Sequence, residues 1–173
     1  MSILGFERIL RSKKIPDAAS CIVKFLSLPE HGWIRSNPKL LDRIAGFLSL
    51  ISAGDLKEIL QDRKLLLLYC NQKMSCAFHQ FSGREIVLIF PELLRLLESA
   101  QYLEAYAILA HELGHVAKGH SRKAVSPLLA QVEADQYAAE LGLGEELFRV
   151  LGNESSSEEV RLRLSALKKI SNR

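Results

Sequence analysis

The sequence predicts an α+β fold, helix-rich with one small antiparallel or mixed sheet, on three observations. Apolar residues recur at helical spacing through the first third of the chain, as in Leu40, Leu41, Ile44, Phe47, Leu48 and Ile51. Between residues 64 and 90 the pattern changes to short apolar runs broken by polar turns, the mark of a few strands. Helical spacing then returns and continues to the end. With 173 residues, 48% of them hydrophobic and 25% charged, the chain is expected to form a single domain. Its helical N-terminal part would cover 1–63, and the sheet with a helical core would cover 64–173.

Taken in order, Ile3, Leu4, Phe6, Ile9 and Leu10 suit a short amphipathic helix that ends on Arg11, Lys13 and Lys14 and docks onto the domain. Asp17 has N-cap chemistry for a helix from Ala18 to Leu28, and Pro29 ends it. Asn37 and Pro38 give a second start signal, cap followed by first-turn proline, with Gly54 as the expected stop. His31, between these helices, reads as a surface histidine in a turn. A short helical segment carrying Leu56, Ile59 and Leu60 precedes the strand region. There, Lys64 to Cys70, Ser75 to Phe81 and Glu85 to Phe90 are expected to form two or three strands with hairpin turns, although a leucine run suits a helix as well. Pro91 opens a helix through Leu97, and another runs from Gln101 to about Ala117 with Gly119 as C-cap. Further helices are expected from Pro127 to near Gly142, from Glu145 to Leu151, and after the polar loop 153–157.

Composition narrows the function. The formal net charge is +3, but the basic residues are scattered rather than gathered in a stripe, so no nucleic-acid partner is expected. Cys21, Cys70 and Cys76 lack a C-x-x-C spacing and read as reduced thiols. The N-terminal apolar stretches are broken by Glu7, Arg8 and Lys24, which does not suit a signal peptide. No apolar run approaches the ~20 residues of a membrane span. A soluble, cytoplasmic protein without a transmembrane segment is the expectation.

One stretch carries chemistry. His111-Glu112-Leu113-Gly114-His115 reads H-E-x-x-H inside an apolar helix. Residues four apart lie on one helix face, so His111 and His115 can offer two imidazoles to one Zn2+ ion, with Glu112 beside them as general base toward a water. Two unpaired imidazoles in so apolar a helix would be costly. Gly114, poor for a helix by about 1 kcal/mol, makes sense if something passes close to the backbone. A third ligand is required. The metzincin pattern is excluded, because Lys118 and Ser121 stand where that motif needs glycine and histidine. His120, five residues past His115 and about 140° around a helix, suits a surface position after the helix or a supporting position better than a ligand position.

Ser75 to Phe78, Gly83 to Leu88, Pro91 to Leu94, Ile108 to Val116, Gly119-His120 and Glu133 to Ala138 together resemble the catalytic core of gluzincin metallopeptidases of the CAAX prenyl protease and HtpX type. Residues 159–167 are weakly similar to a terminal helix of that group, and His111 to His120 and Ala138 to Leu141 are similar also to the ImmA/IrrE peptidases. The resemblance implies a zincin-like domain, a peptide or protein substrate held extended along a strand near Ser75 to Phe81, and Asp135 supporting a zinc-bound histidine. Tyr137, Arg161 and Arg163 become candidates for oxyanion support. Most relatives of this type are membrane-embedded, whereas this chain has no span, so a regulatory peptidase fits better.

The chain departs from the resembled pattern at one place. The family's E-x-x-A-D puts the ligand glutamate four residues before the aspartate, which here is Gln131, while Glu133 lies two before Asp135, about 200° away on an ideal helix. Three readings stay open: Gln131 ligates through its amide oxygen, Glu133 reaches the metal instead, or the site is degenerate. The leading expectation is a zinc metalloendopeptidase; the alternative is an attenuated or inactive pseudo-peptidase acting as a regulatory or binding module because Gln131 occupies the ligand position.

Overall fold

The computed structural model describes residues 16–71, 83–153 and 157–171. The expected N-terminal helix, the strand at Ser75 to Phe81 and Cys76 lie outside the described residues. The described chain falls into two compact units, Met1–Pro91 and Glu92–Arg173.

In the first unit, α1 (Pro16–Leu26) starts at a proline and buries Ile22, Phe25 and Leu26. A 3-10 turn, Pro29–His31, leads into the one-turn helix α2 (Gly32–Arg35). The α3 helix (Pro38–Leu48) begins as its sequence requires, with the Asn37 side chain accepting from the Leu40 amide at 3.2 Å. Its buried face is Leu40, Ile44, Phe47 and Leu48. Gly54 does not stop this helix. The helix ends at Leu48, and Gly54 lies within the first turn of α4 (Ala53–Lys57), which the Ser52 hydroxyl caps by accepting from the Asp55 amide. A π-helical turn, Glu58–Asp62, continues α4.

The leucine run resolves as a strand. β1 (Leu66–Tyr69) pairs with β2 (Ile86–Ile89) in register Leu66 to Ile86 through Tyr69 to Ile89. The pairing is parallel, so these two strands are not the hairpin that the polar turns suggested. A parallel pair needs a connection that carries the chain back to the starting end, and residues 70–85 supply its length.

His31 corrects the sequence reading outright: it is fully buried rather than on the surface. Its Nδ1 lies 2.6 Å from the Phe25 carbonyl and its Nε2 accepts the Leu67 amide at 3.1 Å. One neutral imidazole thereby joins the end of α1 to β1 and satisfies two backbone groups.

The second unit is helical. After α5 (Pro91–Glu98), α6 (Tyr102–Lys118) runs to Gly119, whose φ of +69° ends it in the left-handed conformation. A 3-10 turn (His120–Arg122) and α7 (Pro127–Glu140) follow, the latter capped by Ser126 accepting from the Leu129 amide. The chain finishes with α8 (Gly144–Gly152) and α9 (Glu158–Ser171). The α6 and α7 helices pack against each other, with α8 against both and α9 against α7 and α8. Among the described residues no helix is long and apolar enough to cross a membrane.

Candidate metal centre

Close contact between α6 and α7 builds the site. A Cβ on Gly114 would lie 2.8 Å from the Ala134 Cα and 2.9 Å from its carbonyl oxygen, so only glycine lets the two backbones approach this far. Ala130, Ala134 and Ala138 are buried on the same helix. The small residues bring Asp135, next to Ala134, within reach of His111, three residues before Gly114.

The His111 Nδ1 lies 2.7 Å from Asp135 Oδ1, in a place where the carboxylate is 1% exposed. Arg163, from α9, reaches the same carboxylate with both arms of its fork: Nε donates to Oδ2 at 2.8 Å and Nη2 donates to Oδ1 at 2.7 Å. Burial alone would raise the Asp135 pKa, but the hydrogen bonds from Arg163 and then His111 outweigh it and hold the carboxyl below its ordinary value. An ionised carboxylate accepts only, so His111 donates through Nδ1–H and its Nε2 keeps a lone pair.

A second chain of contacts leads away from His115. Its Nδ1 is 2.8 Å from His120 Nδ1, and His120 Nε2 is 2.8 Å from Glu133 Oε2. The His120 side chain is only 8% exposed, held behind His115 by the turn after Gly119. Glu133 accepts only, so His120 donates from Nε2, and in the neutral ring Nδ1 is then the acceptor. His115 therefore donates from Nδ1 and its Nε2 is bare. Burial, followed by the neighbouring His111 and His120, pushes the His115 pKa down to about 4, which keeps the ring neutral at physiological pH.

The two bare nitrogens face each other. His115 Nε2 and His111 Nε2 are 3.2 Å apart, and with both outer nitrogens protonated their lone pairs converge on one point that a cation can occupy. Two nitrogens at the 2.0–2.1 Å of a zinc bond on a tetrahedral centre are roughly 3.3–3.4 Å apart. The chemistry and spacing of these two donors thus fit zinc. Each histidine also has its outer nitrogen held by a partner, as ligating histidines almost always do.

Among the described residues no group of three His, Cys, Asp or Glu side chains converges on one point. Glu133 is placed on His120. Gln131 is half-buried one turn before Asp135, and its side chain makes no hydrogen bond to the described residues. Glu112 is exposed beside His111. Of the residues considered for oxyanion support, Arg163 is committed to Asp135, Arg161 is exposed, and Tyr137 is buried against Gly114.

The Asp135–Arg163 link escaped the sequence reading, although a signal existed. Val160, Arg163 and Leu167 share one helix face at the i, i+3, i+7 spacing of buried residues, and all three are buried. The link from His120 to Glu133 left no such signal, since it joins a turn to a helix across a loop.

No curated protein and no solved structure is significantly similar to the chain. Residues 68–168, more than half of the chain, match the family model of peptidase family M48. Members of that family are typically zinc-dependent metallopeptidases. The chain belongs to peptidase family M48.

Proposed function

We propose that this chain is a soluble, cytoplasmic, zinc-dependent metalloendopeptidase that cleaves peptide bonds in a peptide or protein substrate. The observation that supports it most is the pair of bare Nε2 atoms of His111 and His115, 3.2 Å apart, each ring oriented by a partner on its far side. His111 and His115 would hold the metal, and Gln131 is the third donor through its amide oxygen, since Glu133 is engaged by His120. A zinc ion so held supplies a Lewis acid and lowers the pKa of a water toward about 7.

This chain's residues divide the remaining work. Glu112, exposed at the same turn of α6, accepts the proton of the attacking water and returns it to the leaving amine. Asp135 fixes the His111 ring, and Arg163 fixes Asp135. A neutral amide in the third position leaves more positive charge on the metal and holds it less tightly than carboxylate would. Within the family the chain resembles the CAAX protease and HtpX type, with ImmA/IrrE-like features beside it.

Gln131 also favours a second reading, in which the chain keeps the fold but acts as an attenuated or inactive regulatory module. Metal analysis after reconstitution separates the cases, with near-stoichiometric zinc expected; its absence defeats the peptidase proposal. Glu112→Gln should keep that zinc and abolish cleavage of an unstructured protein such as casein. Zinc without cleavage in the unmodified chain would favour the regulatory module.

A further inference from the structure

We propose that His120 and Glu133 form a positioning chain behind His115 that locks it as a metal donor and delivers the carboxylate charge that Gln131 does not have. The inference rests on the reading of His111 and His115 as a zinc pair. It assigns work to two residues that a count of ligands leaves idle.

The site has two arms of similar construction. On one, Asp135 touches His111 directly, at 2.7 Å. On the other, the same task is split: His120 touches His115 at 2.8 Å, and Glu133 touches His120 at 2.8 Å. In both arms a carboxylate sits at the far end and a bare Nε2 at the near end. Hydrogen bonds in series polarise one another, so the Glu133 charge makes the His115 Nε2 a stronger donor even through an intervening ring.

Burial supports a built contact rather than a chance surface one. The His120 side chain is 8% exposed, and its two nitrogens are both used, one on His115 and one on Glu133. Glu133 itself is 39% exposed on its side chain, at the outer end of the chain of contacts, while the buried His120 ring links it to His115. The sequence adds a charge argument. In the proposed reading position 131 faces the metal with a neutral amide, and the acid two residues later, Glu133, meets His120 instead.

The test measures zinc affinity by chelator competition in the full chain, with unfolding curves to confirm that each variant folds. Glu133→Gln keeps the shape and is expected to weaken zinc by roughly 10–100-fold, the usual effect of removing an outer-shell partner. His120→Ala should weaken it similarly, and the double variant should be no worse than His120→Ala alone, because both act along one path. In a Gln131→Glu background, Glu133→Gln should cost several-fold less. Long-range 1H–15N imidazole spectra of the zinc-loaded chain should show protonated Nδ1 on His115 and protonated Nε2 on His120.

Unchanged zinc affinity in Glu133→Gln overturns the proposal. So do effects of the two variants that add, since that would make Glu133 act on the metal without His120. The opposite tautomer at His120 also overturns it. If the unmodified chain binds no zinc, the metal reading itself falls, a result distinct from all of these.

Discussion

Arg163 grips both carboxylate oxygens of Asp135, at 2.7 and 2.8 Å, across 28 residues of sequence and in a buried setting. Breaking such a pair leaves one charge stranded, at a cost of roughly 3–5 kcal/mol. Arg163→Ala is therefore expected to lower the urea midpoint of the chain strongly, and Arg163→Lys less so, because lysine keeps the charge but loses the fork. A loss below about 1 kcal/mol for the alanine variant would be characteristic of a surface pair and would contradict the buried role.

Gly114→Ala should destabilise the chain even though alanine is the better helix former by about 1 kcal/mol. The added Cβ meets backbone at 2.8 and 2.9 Å, and backbone cannot turn aside as a side chain can. Separation of α6 from α7 is expected to cost about 1–3 kcal/mol and to weaken zinc binding, because Asp135 would no longer reach His111. Equal or higher thermal stability in the variant would show that the helices have room to spare.

Stability of the metal-free chain is expected to fall as pH drops from 6.5 toward 4. Burial, with His111 and His120 nearby, lowers the His115 pKa from 6.5 to about 4, so across that window the unfolded chain binds a proton that the folded chain refuses. Burial lowers the His31 pKa too, which adds to the slope in the same direction. Asp135 also has a lowered pKa, and its contribution, complete above the ordinary carboxylate value, is lost only as pH falls through the folded value. His115→Gln should flatten the slope between pH 6.5 and 4 in denaturation of the metal-free protein. The same slope in variant and parent would exclude His115 as a source.

Gln131→Glu should tighten zinc binding by an amount on the order of tenfold, about 1.4 kcal/mol. A carboxylate replaces an amide on the face of α7 that carries Asp135 toward His111, with no change in side-chain length. Isothermal titration or chelator competition reads the change directly. No change would place Gln131 away from the metal and remove it as third donor.

The helices were legible in the sequence where their signals are local. Asn37 caps α3, Pro127 opens α7 and Gly119 ends α6, because a cap or a left-handed glycine acts within one turn of itself. Gly54 misled for the converse reason: a glycine tolerates several backbone conformations, and the Ser52 cap just before it decided that α4 starts there. Strand direction and the burial of His31 were not legible. Parallel pairing of β1 with β2 and the His31 contacts to Phe25 and Leu67 depend on partners that no short window contains.

For the centre itself, the sequence alone determined that His111, Glu112 and His115 occupy one helix and that an acid-bearing helix follows. Tertiary structure decided which side chains stand behind them. Asp135 reaches His111 because Gly114 admits Ala134, Arg163 is buried because its helix face packs inward, and Glu133 meets His120 because a turn folds back after Gly119. Periodicity along a chain states which residues share a face; only the packing of one face on another states what each of them touches.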